Sequence, residues 1–294
     1  MTNRAAGVER RVASSSRGVV ILIGGSEDKQ GARVILSEVA RRSGTGTLVV
    51  ATLASDEPEL QWERYRRVFT ELGVRRIAHL AVANREDIMD GRLDAMCDDA
   101  SAVFFTGGDQ VRIVTKLGGT TLLTRLRARF AGGALFAGTS AGASVMGETM
   151  LVSRETSNEV AHKVDAAFYM TRGLGLIADM VIDQHFAQRA RIERLIGAIA
   201  ENPGVVGVGI DEDTGIVVEP DGRFHVLGAG AVYVADGRSV THTNMSEDTR
   251  GHTLCLFDVT LHVLNHGTGF DVTSRRPLKD THLSPATTAS STAT

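Results

Sequence analysis

Leu135-Phe136-Ala137-Gly138-Thr139-Ser140-Ala141-Gly142-Ala143-Ser144 places one serine between two glycines at the point where a short apolar run ends. The pattern is Gly-x-Ser-x-Gly. In a strand-to-helix turn of this kind the backbones on both sides of the central residue come close together, so only small residues fit, and the central side chain is pushed out at the top of the sheet. Ser140 is therefore the candidate nucleophile. The amide of Ala141 opens the following helix and points to the place where an oxyanion forms during acyl transfer. The alternative is a Gly/Ala/Ser-rich helix N-terminus chosen for close packing, and the flanking sequence weighs between the two.

On the N-terminal side, apolar runs too short for helices alternate with helical periodicity. Gly18 to Ile23, Thr47 to Leu53, Ile77 to Val82 and Ala102 to Phe105 have the composition of buried strands. Between them, helices are expected from Gly31 to Arg42, from Glu59 to Leu72 and, as a short piece, from Asp94 to Ala100. The second of these sets Trp62, Tyr65, Val68, Phe69 and Leu72 on one face. A further helix from Val111 to Phe130, broken near Gly118-Gly119, leads into the Leu135 strand. This alternation predicts an α/β fold with a doubly wound, mostly parallel sheet and functional loops at the carboxyl ends of its strands. Two such loops are Gly24-Gly25-Ser26-Glu27-Asp28 and Thr106-Gly107-Gly108-Asp109-Gln110.

After Ser140 the pattern changes. Residues 150–178 are polar and irregular, long for a structureless connection, and read as a functional insertion or lid. Met180-Val181-Ile182 then runs into Asp183-Gln184-His185-Phe186, and a helix is expected from Arg189 to Ala200. Val205 to Ile210 is another apolar strand, ending in Asp211-Glu212-Asp213-Thr214-Gly215. From Ile216 to Asp236, short alternating runs broken at Asp221-Gly222 and Asp236-Gly237 predict antiparallel hairpins at the sheet edge. Leu254 to Leu264 reads as a last strand. The expected organisation is a disordered arm over 1–17, one α/β catalytic domain over 18–272, and a low-complexity disordered tail over 273–294.

Composition narrows the function classes. At 43% hydrophobic and 23% charged, the 294 residues suffice for one large core or two modest ones. A net charge of −3 gives no strongly basic surface, which argues against nucleic-acid and membrane partners. The segment Met1 to Arg17 carries Arg4, Arg10, Arg11 and Arg17 without an apolar stretch, so it does not read as a secretory signal, and a cytoplasmic location is expected. Cys97 and Cys255 have no metal-type spacing and read as reduced packing residues.

A serine hydroxyl needs a base within hydrogen-bond reach, and that base needs an orienting acid. Of nine histidines, only His185 lies just past an apolar strand among other polar residues suited to chemistry. A capping histidine at a strand–helix junction is its bland explanation. His225, His252 and His262 fall in edge-strand patterns and His162 in the irregular segment. For the acid, Glu212 follows the Val205 strand, flanked by Asp211 and Asp213, with Asp183 also near His185 in sequence. Neighbours leaving a strand point in opposite directions, which favours Glu212 as the one facing His185. The order serine, histidine, acid departs from the serine, acid, histidine order of α/β-hydrolases.

Gly107-Gly108-Asp109-Gln110, Gly138-Thr139-Ser140-Ala141-Gly142-Ala143 and Asp183-Gln184-His185-Phe186-x-x-Arg189-x-Arg191-x-x-Arg194 together resemble the cyanophycinases, in the serine-peptidase family that also contains aspartyl dipeptidase (dipeptidase E). The resemblance runs from about Gly18 to Leu264. It implies a flavodoxin-like sheet related to class I glutamine amidotransferases, with the nucleophile at Ser140, the base at His185 and the acid at Glu212. It also implies a substrate pocket of Gln110, Asp183, Gln184, Arg189, Arg191 and Arg194. The expected oxyanion donors are the amides of Gly108 and Ala141.

The implied activity is exopeptidase cleavage of cyanophycin, a poly-aspartate carrying arginine on its side-chain carboxyls, to β-aspartyl-arginine, by a homodimer that needs no metal or cofactor. Clustered guanidinium groups suit substrate carboxylates, and Asp183 suits a substrate arginine. On spacing alone the three arginines equally describe a solvated helix face. An aspartyl dipeptidase acting on short peptides with N-terminal Asp, and a non-catalytic amidotransferase-like binding domain, are the competing expectations.

Overall fold

Val20–Ile23 (β1) is four apolar residues, all buried, as expected of a strand covered on both faces. In the computed structural model, which describes residues 17–89, 91–153, 168–245 and 253–279, β1 is followed by α1 (Val34–Ser43), β2 (Thr47–Ala51), α2 (Pro58–Glu71), β3 (Arg76–Leu80), the short α3 (Glu86–Met89) and α4 (Asp94–Asp98), and β4 (Ala100–Phe105). The helix expected over 111–130 is two, α5 (Gln110–Leu117) and α6 (Thr121–Ala131), because Thr120 caps a new N-terminus by accepting from the Leu123 amide. Then come β5 (Leu135–Thr139) and α7 (Ala141–Ser144). No helix among the described residues is long and apolar enough to cross a membrane.

Strands β1, β5, β4, β2 and β3 are neighbours in that order and pair in parallel. Alternate side chains feed two layers. Ile21, Ile23, Val50 and Phe104 pack with Ile35, Leu36 and Val39 of α1 and Tyr65, Val68 and Phe69 of α2. Leu22, Val49, Phe105 and Phe136 pack with Ile113 and Leu117 of α5 and Leu122, Leu126 and Phe130 of α6. This is the doubly wound α/β arrangement that the alternation in sequence predicts.

The second half departs from a single sheet. β6 (Thr149–Ser153) and β7 (Phe168–Arg172) pair as an antiparallel ribbon, so the flanks of the segment read as irregular are extended; residues 154–167, with His162, lie outside the described residues. β8 (Met180–Gln184), β9 (Val206–Ile210), β12 (Val232–Asp236) and β15 (Thr260–Leu264) form a separate four-stranded sheet, with β8 and β9 parallel. α8 (Ile192–Glu201) packs Leu195 and Ile199 against Phe186 and Ala235 on that sheet. The reason is burial: Ile182, Val208, Ile210, Val232 and Val234 join the core that holds Phe105 and Phe136, so this sheet covers the main sheet as a helix would.

β10 (Thr214–Val218) and β11 (Arg223–Gly228) are the expected hairpin at the edge of the parallel strands, with β10 antiparallel to β1. β12 pairs instead with β9 and β15. The expected strand over 254–264 is divided between β14 (Leu256–Phe257), which pairs with β13 (His242–Thr243), and β15. β16 (Gly269–Asp271) and β17 (Arg276–Leu278) complete the main sheet beyond β11. Ordered structure therefore runs past Thr273, where the tail was expected to begin. The Phe270 ring, fully buried beside Phe224, explains why this last hairpin docks. The rest of the tail, the arm over 1–16 and His252 lie outside the described residues.

Candidate active site

Three strand ends from two different sheets meet at one point. β5 delivers Ser140, β8 delivers His185 and β9 delivers Glu212. Ser140 has φ 54 and ψ −117, a conformation that L-residues rarely adopt and that costs about 1–3 kcal/mol. Its surroundings enforce it. A Cβ on Gly138 would meet the Gly142 carbonyl, and one on Gly142 the Phe105 carbonyl, so the turn closes only with glycine at both places. The Ser140 amide donates to Ile23 O on β1 at 2.9 Å, which pins the turn to the neighbouring strand.

His185, at φ 50, is also left-handed. Its amide donates to Gly24 O at 2.8 Å, and its ring lies against Gly25, where a Cβ would stand 2.5 Å from Nε2. Nε2 is 2.9 Å from Ser140 Oγ and Nδ1 is 2.6 Å from Glu212 Oε1. With Nδ1–H donated to the carboxylate, Nε2 carries the lone pair that accepts from the serine hydroxyl. Burial pushes the imidazole below its usual pKa of 6.5, against the raising effect of the Glu212 hydrogen bond and with help from the nearby Arg189 and Arg191 charges. The ring is thus held neutral near pH 7, as a proton acceptor must be.

The three neighbouring acids separate by what they touch. Asp211 is buried and accepts from the amides of Ala187 at 2.9 Å and Ala231 at 3.1 Å, stapling two loops. Asp213 accepts from the Asp28 amide at 2.8 Å. Glu212 alone reaches the histidine, and its own amide is held by Gln188 Oε1 at 3.1 Å. Beside the serine, a Cβ on Gly107 would lie 3.3 Å from Ser140 Cβ, so the Gly107-Gly108 loop borders Ser140. Ala141 opens α7 and has no intrahelical acceptor for its amide.

The arginines are arranged differently from the expectation. Asp183 has no solvent exposure, and its carboxylate is taken by the Arg194 guanidinium in a two-point contact, by Arg191 at 3.0 Å and by the Gln184 amide at 2.9 Å. It therefore has no place for a substrate guanidinium, and its work is to hold Arg191 and Arg194. Arg191 also donates to Gln184 O at 2.6 Å and Arg194 to Ser153 Oγ at 2.5 Å. Burial pulls the Arg191 guanidinium down to about 10, still charged at neutral pH. The helix expected from Arg189 begins at Ile192; Ala187–Arg189 is a separate 3-10 turn closed by a left-handed Ala190, which leaves Arg189 exposed. Gln110 donates to Leu151 O at 2.9 Å, and the buried Oε1 of Gln184 has no partner among the described residues.

The sequence profile of peptidase family S51 matches residues 20–226, which span every element that carries Ser140, His185 and Glu212. The chain belongs to peptidase family S51. It is 39% identical over 285 residues to a cyanophycinase of Nostoc sp., covering 95% of this chain and 94% of that one. It is also 39% identical over 259 residues to a cyanophycinase of Synechococcus elongatus, covering 86% and 79%. Among solved structures, a peptidase from an acI-B1 Actinobacterium superposes with a TM-score of 0.66 at 20% identity, over 87% of this chain and 97% of that one, a likeness of fold.

In this S51 peptidase, a loop recognisable in the sequence only as a functional loop, with no residue assigned to the site, also holds the site together. Gly24 to Asp28 contacts all three strand ends: Gly24 O holds His185, Gly25 lies under its ring, Gly25 O accepts from the Asp213 amide at 2.9 Å, and the Glu27 carboxylate reaches Thr139. The signal available was Gly-Gly followed by two acids at the carboxyl end of the first strand.

Proposed function

We propose that the chain is a serine exopeptidase that releases β-aspartyl-arginine from cyanophycin. The observation that carries the chemistry is the hydrogen-bonded run Ser140 Oγ, His185 Nε2, His185 Nδ1, Glu212 Oε1, at 2.9 and 2.6 Å. The curated relatives named cyanophycinase, matched over nearly the whole chain, support the polymer. Ser140 Oγ attacks the scissile carbonyl while its proton passes to His185 Nε2; Glu212 steadies the resulting imidazolium. Amides of Gly108 and Ala141 receive the oxyanion, each such donor contributing about 2.7–4 kcal/mol in the transition state. The imidazolium then protonates the leaving amine, and water, deprotonated by His185, hydrolyses the acyl-enzyme.

The substrate carries an arginine α-carboxylate on every unit. One Asp183 carboxylate holds two guanidiniums, leaving a net positive site beside the histidine that suits such a carboxylate, with exposed Arg189 at its rim. Action in the cytoplasm and assembly as a homodimer belong to the same proposal and rest on family likeness. The test is incubation of the purified chain with cyanophycin and with a panel of dipeptides bearing N-terminal Asp, products read by mass spectrometry. Release of β-aspartyl-arginine, with the dipeptides left intact, is expected; turnover of the dipeptides alone would replace cyanophycin with short peptides.

A further inference from the structure

Glu27 is buried beside the nucleophile strand and has no part in the proton relay, yet every oxygen of its carboxylate is engaged. Thr139 Oγ1 donates to Oε2 at 2.6 Å, Tyr65 Oη to Oε1 at 2.5 Å, and the Lys29 ammonium lies 2.9 Å from Oε1. Thr139 is the residue before Ser140, so its hydroxyl fixes the strand end from the face opposite the elbow. Tyr65 comes from α2, which packs that face. Burial and the adjacent carboxylate raise the Tyr65 hydroxyl well above 10, so it stays a donor.

The same loop also fixes the base. Gly24 O accepts the His185 amide and Gly25 forms the floor under the imidazole, two residues before Glu27. Glu27 thus joins, in one rigid piece, the segment that carries the nucleophile and the segment on which the histidine rests. We propose that Glu27, through Thr139, is a positioning residue that sets the Ser140–His185 distance. Without the Thr139 contact, the β1 loop and the β5 end keep their sheet pairing but lose the tie beyond it, and the 2.9 Å approach of Oγ to Nε2 relaxes.

This rests on Ser140 being the nucleophile, and the experiment separates the two. Thr139→Val removes the hydroxyl at nearly constant shape, Thr139→Ser keeps it, and Glu27→Gln removes the charge. Each is assayed for kcat and KM on cyanophycin, for the rate of labelling by a fluorophosphonate, and for thermal midpoint, beside Ser140→Ala. Thr139→Val and Glu27→Gln are expected to lower kcat and the labelling rate together by roughly 10- to 100-fold with KM unchanged, the scale of a small misplacement at a reacting centre. Thr139→Ser should stay near the parent, and the double variant should be no slower than Glu27→Gln alone, because both act through one contact. If Glu27→Gln does not fold, Thr139→Val against Thr139→Ser decides the matter. Parent-like labelling in Thr139→Val, with Ser140→Ala inert, would overturn this inference alone; an active Ser140→Ala would remove the nucleophile and this inference with it.

Discussion

Asp183→Asn should cost this protein far more stability than Arg189→Ala, a change at an arginine that Asp183 does not hold. The Asp183 carboxylate is fully buried, and it neutralises Arg194, itself buried, and Arg191, half-buried. Removing the charge leaves Arg194 with Ser153 Oγ and Arg191 with the Gln184 carbonyl, so two guanidiniums stay in a poorly solvated place without an anion. Breaking a buried pair by removing one partner costs about 3–5 kcal/mol. At about 2–4 °C per kcal/mol for a domain of this size, the thermal midpoint falls by about 6–20 °C. Arg189→Ala, at an exposed position, should move stability by less than about 0.5 kcal/mol. The measurement is urea unfolding and a thermal scan of the parent and both variants, followed by kcat/KM on cyanophycin well below the lowered midpoint. A loss under about 1 kcal/mol in Asp183→Asn would refute the view that the two arginines depend on this carboxylate.

Ser140→Ala should fold as the parent does and lose hydrolysis by several orders of magnitude, read in a product assay and checked by circular dichroism. Glu212→Gln should cut kcat by on the order of 10³–10⁴-fold through loss of the imidazole tautomer, whereas Asp211→Asn should weaken stability more than turnover, since Asp211 holds backbone amides; the reverse ranking would move the acid. In a pH profile of kcat/KM, the acid limb should have its midpoint below 6.5, because the folded histidine is depressed and must be neutral to act. The same shift adds stability that is complete above about 6.5 and is lost as pH falls through the folded value, since the unfolded chain binds that proton first. A midpoint above 6.5 would mean that the Glu212 hydrogen bond outweighs burial.

What sequence reading recovers here follows period and spacing. The strands at 20–23, 47–51 and 135–139 are legible because they are buried on both faces and bounded by glycine or polar residues. Ser140 is legible because a strained turn admits so few residue types around it. The second sheet is not legible, since β8 and β9 look locally like β1 and β2, and only packing against Phe105 and Phe136 sends them to a different layer. The role of Asp183 is hidden for a related reason. A carboxylate six residues before the first of three spaced arginines can serve a ligand or serve the arginines, and the choice depends on whether solvent reaches it. At zero exposure it serves the arginines.

The separate sheet also accounts for the chain order Ser140, His185, Glu212 at this site. β8 and β9 are parallel neighbours in register, Gln184 opposite Ile210, so the residues that follow, His185 and Asp211, leave adjacent strands at one level. One residue further, Glu212 arrives beside the His185 ring, while Asp211 turns back to the amides of Ala187 and Ala231. His185 and Glu212 therefore come as a unit from one sheet and Ser140 from another, and their alignment is only as good as the seam between the two layers. That seam is crossed at the site by two backbone contacts, His185 N to Gly24 O and Asp213 N to Gly25 O. Both run through the Gly24-Gly25 loop. Substituting either glycine puts a Cβ into the Asp211 carbonyl or the imidazole ring, so Gly25→Ala should lower kcat with little change in overall fold. If Gly25→Ala turned over cyanophycin at the parent rate, the ring would have to be free to move off the loop, and the seam would not be what aligns it.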